Sequence, residues 1–585
     1  AAAKLRADIT KRLAAEIRQH PQDVRLRRQQ MRLQRASIGT VDAFCLHFVQ
    51  QNFSALDVPP DFTIADDATL VRLQQETLST VLEQAYTDPD FCAFADLYDR
   101  GRTDDTTGRA VQELYHFTQA LPHPAQALQR FVEMWQSDAP PEKTQWGQAV
   151  LRETSARIKG VLRLLRTAQK IAAKDPAADK ALTAVLMDDE DRMLLVLDRL
   201  DHGAWDTVPE ALDNADNWRR AGRVPGGIAS NIAAMSANML RDRAKKQIAT
   251  LKTDFLLCPA ADYQTDRRRA APLVAALVRA VEQYRRTLLE AKLAEKVLDY
   301  ADLEHMTLEL LLTPEYERTS LCRTVSARYS AVLVDEYQDT NALQDAIYFA
   351  LAAPDASNLF FVGDIKQSIY RFRQAMPEIF LRRKASYPDY DPEKNEYPAK
   401  VNLDRNFRSR HGVTDGVNFV FRQLMSVEMG EMEYTREEEL TPGAFYPERE
   451  EADTELHILT LPKGADMDTL EAEYIGSLIA SMVRNGELVQ DGGKQRPAAY
   501  RDFCVLIRNA NAHGGVYAAK LREMGIPAWS DTAGTFFGTP EVSVALSYLR
   551  VLDNPVQDIP LLSVLISPIW GFTPDDLAQI RMARK

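Results

Sequence analysis

Val332-Leu-Val-Asp335-Glu336-Tyr-Gln338-Asp339-Thr-Asn341 decides the fold of this 585-residue chain. A short aliphatic, β-branched run ends directly in paired acids. That is the pattern of a buried parallel strand whose carboxyl end carries a ligand site in an α/β sheet. In a nucleotide hydrolase the first acid of such a pair, here Asp335, holds Mg2+ through oxygen ligation. The second, Glu336, orients and deprotonates the attacking water. Adjacent acids after a strand also arise as plain turn residues, so the pair needs support from elsewhere in the chain.

Support comes from Asn358-Leu-Phe-Phe-Val362, which repeats the strand texture and ends in Gly363-Asp364. It continues as Ile-Lys366-Gln367-Ser368-Ile-Tyr370-Arg371-Phe372-Arg373-Gln374. Interleaved aromatic and basic residues suit single-stranded nucleic acid. Rings stack on bases of any identity, at ~1–3 kcal/mol per base, and arginine covers phosphates or lies over a ring. An amphipathic core strand with arginine tips fits the same letters. Further on, residues 400–403 read as another strand, leading into Arg405-Asn406-Phe407-Arg408-Ser409-Arg410. There an aromatic ring stands beside a forked guanidinium, one for a base face and one for a phosphate. Near the front, Ser37-Ile-Gly39-Thr40-Val-Asp42-Ala-Phe44 presents hydroxyls and amides to a phosphate chain. A helix N-cap built on Ser37, Thr40 or Asp42 explains it equally well.

Around these motifs the chain is ordinary for a globular protein of roughly three or four domains. It is 45% hydrophobic and 26% charged. No run approaches the ~18 apolar residues of a membrane span. Five dispersed cysteines without a C-x-x-C pair exclude a disulfide framework, a zinc knuckle and an iron-sulfur site, and fit a reducing cytoplasm. The net charge of −13 argues against a nucleic-acid binder on average. Between Lys4 and Arg35, however, ten Lys and Arg face three acids, which makes either a cationic binding segment or a solvated helix face.

Residues 1–56 read as helical, Asp57-Val-Pro-Pro-Asp61 as a break, and residues 66–298 as a large helical region. Residues 428–451 read as an acidic solvated loop, 503–507 as a further strand, and 541–585 as helical. The first residue is Ala1, and no G-x-x-x-x-G-K-[ST] phosphate loop occurs. Both features predict a chain shortened at its front, and the helical texture that runs to Lys585 without a closing element predicts the same of its back.

In this order, the motifs resemble those of UvrD-like superfamily 1 helicases. Asp335-Glu336-Tyr-Gln338-Asp339-Thr looks like motif II, Gly363 through Arg373 like motif III, Asn406-Phe407-Arg408-Ser409 like motif IV, and Gly39-Thr40-Val-Asp42-Ala-Phe44 like motif Ib. Val362-Gly-Asp-Ile-Lys-Gln-Ser-Ile-Tyr-Arg-Phe-Arg-Gln-Ala375 and Asp299-Tyr-Ala-Asp302-Leu-Glu304 are similar to AddA subunits of helicase-nucleases. The resemblance covers nearly the whole chain. It implies an α/β fold of RecA-like P-loop NTPase lobes with large α-helical insertion domains. The first lobe would take residues 1–56 and 296–394, a helical insertion 57–295, the second lobe 395–540, and a second insertion 541–585.

For the site it implies ATP and Mg2+, with Asp335 on the metal, Glu336 as general base and Gln367 sensing the γ-phosphate. Phe407 would stack on adenine and Arg408 would meet the γ-phosphate. Thr40, Phe44, Tyr370, Phe372 and Arg373 would contact DNA. Asp42 stands where relatives carry His, which departs from the pattern. The implied setting is a bacterial cytoplasm without a membrane, and the implied partners are an AddB-like subunit, single-stranded DNA and double-stranded DNA ends. Two alternatives stay open: a stand-alone UvrD- or Rep-like repair helicase, and a non-catalytic DNA-binding or subunit-interaction piece.

Overall fold

The computed structural model describes every residue except 1, 34, 100–104, 203–204, 256–257, 431, 448–451, 463, 492–493, 531–538 and 584–585. Parts of the acidic stretch read from 428–451 therefore lie outside the described residues. Helices dominate, and the strands form small two-stranded sheets. The chain divides into two compact units, Ala1–Pro447 and Glu448–Lys585. No helix among the described residues is long and apolar enough to cross a membrane.

In the first unit, the basic front of the chain forms helices Ala2–Gln19 and Val24–Leu33, the second of which buries no residue. Arg25, Arg28 and Arg32 are exposed. Helix Val41–Asn52 follows and does enter the core, through Cys45, Phe48 and Val49. The chain then passes through Thr63–Ile64 into a region that is helical as its period predicts, and returns through Val297–Leu298. These two segments pair in parallel, Thr63 opposite Val297 and Ile64 opposite Leu298. The helical region is thus closed at its base by its own two connections.

That region holds two apolar cores. One lies among helices Gln145–Ala172, Pro176–His202 and Ile232–Phe255, around Leu165, Leu186 and Ile248. The other packs Phe91, Val111 and Leu128 on the long helix Ala260–Ala294 through Val281, Tyr284 and Leu288.

A third core carries the motifs. Helices Tyr300–Leu311 and Ala342–Leu351 pack on Val41–Asn52 through Leu303, Leu311, Leu343 and Ile347. Val332–Val334 pairs in parallel with Leu359–Phe361, and helix Ala342–Leu351 forms the crossover between them. This strand-helix-strand unit is what the texture of the sequence predicts. Burial of both strand faces is not observed: Leu333 is 72% and Phe360 60% exposed, while Val332, Val334, Leu359 and Phe361 are half-buried. Alternate side chains of a strand point to opposite faces, and the helices cover only one face of this ladder.

Two other expected strands also need correcting. Residues 400–403 form no strand. Lys400 makes one isolated bridge to Asp389, and Leu403 is 85% exposed. Residues 503–507 are irregular as well, with Leu506 90% exposed. In each case an apolar run has no neighbouring strand to complete a ladder, and without one the extended state has little to hold it. Instead, Arg405–Asn406 pairs in parallel with Thr441–Pro442.

The second unit packs helices Met467–Asn485 and Ala510–Glu523 through Ile479, Leu521 and Ile526. Gly476 permits the approach, since a Cβ there would stand 2.7 Å from Met524 Sδ. A hairpin pairs Leu488–Asp491 with Lys494–Pro497. Helices Pro540–Asp553, Asp558–Ile566 and Pro574–Ala583 follow.

Candidate functional site

The two parallel strands deliver Asp335 and Asp364 to the same end of their ladder. Beyond the strands themselves, the Val362 N–H donates to Val334 O at 2.9 Å and the Tyr337 N–H to Val362 O at 2.9 Å. Glu336 sits at φ 51°, ψ 42°, in the left-handed region. Non-glycine residues enter that region at a cost of about 1–3 kcal/mol and hold it only where surrounding contacts fix them. Those contacts are present. The Glu336 N–H donates to Asp335 Oδ1 at 3.1 Å, and Gln338 Nε2 donates to Glu336 Oε2 at 2.7 Å.

Tyr337 anchors the turn from below. Its ring stacks on Phe361 at a centroid distance of 4.0 Å, and its hydroxyl donates to Asp345. Arg383 closes this group: Nε donates to the Tyr337 hydroxyl at 2.7 Å and its second nitrogen to Asp345 Oδ2 at 2.6 Å. The guanidinium also lies 4.2 Å over the Phe349 ring. Asp339, next in the turn, has its carboxyl pushed up by burial and then by the charge of Glu336. Its Oδ1 is buried without a partner among the described residues.

Past the second strand, Asp364 caps a short 3-10 turn, Ile365–Gln367. It accepts from the Lys366 N–H at 3.1 Å and from Gln367 Nε2 at 3.1 Å. Lys366 Nζ lies 2.8 Å from Asp364 Oδ1 and 3.5 Å from Glu438 Oε2, and Lys384 also pairs with Glu438. A second 3-10 turn, Arg371–Arg373, displays the aromatic-basic letters. Phe372 is 76% exposed, and the Arg373 guanidinium stands 5.0 Å over Tyr370 and 5.7 Å over Phe372. The amphipathic core strand that the same letters permit is absent. What forms is an exposed cluster of rings and cations.

Asn406 Oδ1 accepts from the Arg408 and Ser409 N–H groups at 2.9 and 2.8 Å, a turn closed by its own side chain. Phe407 and Arg408 are both exposed. Phe407 leans over Gly443, where a Cβ would lie 2.8 Å from its ring. Among the described residues, no hydrogen bond or ion pair joins Phe407 or Arg408 to Asp335, Glu336 or Gln367.

At the front, Thr40 caps helix Val41–Asn52, its hydroxyl accepting from the Ala43 N–H at 3.2 Å. Phe44 is half-buried and stacks on Phe48 at 5.7 Å, so its ring is engaged with the core. Asp42 is partly buried, which raises its carboxyl.

Beside it, Glu304 is buried and accepts from Gln344 Nε2 at 2.8 Å. Burial, with Asp42's charge adding to it, pushes the Glu304 carboxyl from 4.5 up to about 7. An acid raised by folding keeps a proton that the unfolded chain has already released, so stability falls as pH rises through that window. Glu304→Gln is therefore expected to stabilise the protein at pH 8, by up to about 3 kcal/mol, and to have little effect near pH 4.5. Unfolding midpoints of the two proteins at both pH values check this, and an equal difference at the two would refute it.

Several residues escaped the sequence reading: Gln338, Gly363, the Tyr337–Asp345–Arg383 group, Glu304 and Glu438. Of these, Gln338, Gly363 and Glu304 lie inside the quoted motif stretches, which assign them no role of their own.

Comparison with known proteins adds a second line. The UvrD/REP helicase N-terminal domain matches residues 1–388, and the UvrD-like helicase C-terminal domain matches residues 401–585. The chain is 33% identical to the A subunit of the ATP-dependent helicase/nuclease of Geobacillus kaustophilus, over 100% of this chain and 48% of that protein. It is 33% identical to that of Acetivibrio thermocellus, over 100% and 50%. It is 34% identical to that of Geobacillus thermodenitrificans, over 100% and 48%. The chain spans about half the length of the curated relatives it matches.

Proposed function

We propose, because this chain belongs to the UvrD/REP helicase family, that it is motor sequence of an ATP-dependent DNA helicase within a helicase-nuclease of two different subunits. That enzyme unwinds and processes DNA ends in double-strand-break repair, in the bacterial cytoplasm, with an AddB-like partner. The relatives' names, which make each of them the A subunit of an ATP-dependent helicase/nuclease, support this setting. The observation that carries the reading is one turn. Paired acids at a strand end are fastened to the segment bearing Gln367, and that segment continues into exposed Tyr370, Phe372 and Arg373.

The residues present suit ATP with Mg2+. Asp335 offers an exposed carboxylate at the strand end. A hard cation held by one carboxylate, completed by water and phosphate oxygens, is the usual Mg2+ arrangement in phosphoryl-transfer sites. When bound, the ion would neutralise charge on the phosphate oxygens. Glu336 takes the proton of the water that attacks the γ-phosphorus, and Gln367 reports whether the γ-phosphate is in place. Arg408 and Phe407 serve the same nucleotide, at its γ-phosphate and adenine. Tyr370 and Phe372 stack on bases, Arg373 meets phosphate, and Thr40 and Phe44 border the DNA path.

The test is ATP hydrolysis by the full-length protein with and without single-stranded DNA. Hydrolysis stimulated by DNA supports the reading, and a protein that neither hydrolyses ATP nor binds DNA would sink it. Within that assay, Phe372→Ala is expected to weaken single-stranded DNA binding by about 1–3 kcal/mol, roughly 5- to 150-fold in Kd. Fluorescence titration with a labelled oligonucleotide reads the change, and an unaltered Kd removes Phe372 from the DNA surface.

A further inference from the structure

We propose that Gln338 is a positioning residue for hydrolysis: it holds Glu336 in its left-handed conformation and fastens it to the turn that carries Gln367. The inference rests on the reading of Glu336 given above.

Gln338 is 1% exposed. Its amide is used at both ends: Nε2 donates to Glu336 Oε2 at 2.7 Å, and Oε1 accepts the Asp364 N–H at 2.9 Å. Asp364 in turn accepts from Gln367 Nε2 at 3.1 Å. One continuous chain of hydrogen bonds thus runs from Glu336 through Gln338 and Asp364 to Gln367. Room for the amide comes from Gly363, where a Cβ would stand 2.6 Å from Gln338 Oε1 and 2.8 Å from the Phe380 ring. The glycine is required for close approach, since its φ lies outside the left-handed region.

The chemistry selects an amide. An amide side chain of this length donates and accepts at once; an ionised glutamate accepts only, and methionine donates nothing and accepts only weakly. The bond to Glu336 is charge-assisted, hence among the stronger ones available. Without it, the Glu336 carboxylate loses its tie to the turn, and only the bond from the Glu336 N–H to Asp335 Oδ1 and that from the Asp339 N–H to Glu336 O are left to hold the positive φ, which a glutamate adopts only at a cost. A base displaced by about an ångström costs on the order of 100-fold in rate. Gln338 is not among the residues assigned above to the nucleotide, so the effect is expected in kcat rather than in KM for ATP.

The experiment compares the full-length protein with Gln338→Glu, Gly363→Ala and Glu336→Gln in steady-state ATP hydrolysis at saturating single-stranded DNA, with thermal unfolding of each. Gln338→Glu keeps the acceptor for the Asp364 N–H but removes the donor to Glu336 and sets a second carboxylate against it. Its kcat is expected to fall about 10- to 100-fold at temperatures where the variant is still folded, with KM for ATP near parental; the buried second carboxylate lowers the unfolding midpoint. Gly363→Ala pushes the amide aside without changing it, and is expected to lower kcat in the same way; it decides the matter if Gln338→Glu does not fold. Parental kcat in the folded variants overturns the inference, as does a loss of activity that only follows a loss of stability. Either result leaves the function standing if Glu336→Gln is inactive beside an active parent. An inactive parent overturns both.

Discussion

Glu336→Gln is expected to lower kcat for ATP hydrolysis by about 100- to 10,000-fold while leaving KM for ATP close to parental, the size of effect that a positioned general base contributes. The expectation comes from geometry. Glu336 is exposed at the end of the Val332–Val334 strand, free to meet a water, yet its carboxylate is fixed by Gln338 Nε2 at 2.7 Å. A glutamine keeps the length and an acceptor oxygen for that bond, so the turn is preserved. What disappears is the capacity to take a proton. The assay is steady-state hydrolysis by the full-length protein over a range of ATP concentrations, with single-stranded DNA present. Loss of kcat at constant KM places Glu336 in proton transfer. Parental kcat would make the paired acids ordinary turn residues and leave the hydrolytic reading without a base.

How much of this was legible in the sequence follows the range of the interactions. The Val332–Val334 and Leu359–Phe361 pair was readable because each strand and its trailing acid lie within a few residues. The helix between them fixes a parallel crossover. The runs at 400–403 and 503–507 have similar local texture and formed no strand, because a strand is completed by a neighbour that local texture does not reveal. Pairing of Thr63–Ile64 with Val297–Leu298 was invisible for the same reason: its partners are separated by the whole helical region.

The candidate site shows the same division. Asp335, Glu336 and the aromatic-basic run announced themselves by composition, whereas Gln367 was singled out only by the resemblance to UvrD-like helicases. Gln338 did not announce itself, since a glutamine beside acids reads as surface until Gly363 is known to lie against it.

The base of the helical region supplies the largest expected effect on stability. Lys292 ends helix Ala260–Ala294 and is wholly buried, with Nζ 2.5 Å from Asp299 Oδ2 and 2.9 Å from Asp302 Oδ2. The two carboxylates also cap helix Tyr300–Leu311 reciprocally, each accepting the other's N–H at 2.9 Å. One ammonium therefore joins the end of the long helix, the strand Val297–Leu298 and the start of a helix in the core that carries the motifs.

Burial and Asp299's charge push Asp302 up to about 6, while Lys292 opposes them and holds Asp299 low. Lys292→Met preserves the length of the side chain and removes the charge, leaving two carboxylates side by side in a buried setting. Removing one partner of a buried pair costs about 3–5 kcal/mol. The sign of the pH dependence follows. Without the ammonium, both acids are raised above their unfolded values, so the variant gains protons on folding and its deficit is greatest at pH 8 and shrinks toward pH 5. Urea unfolding at the two pH values, followed by far-ultraviolet circular dichroism, measures this. A deficit below about 1 kcal/mol at pH 8 would show that water reaches the pair and screens it as it does an exposed one. The clamp would then contribute little to closing the helical region on the core.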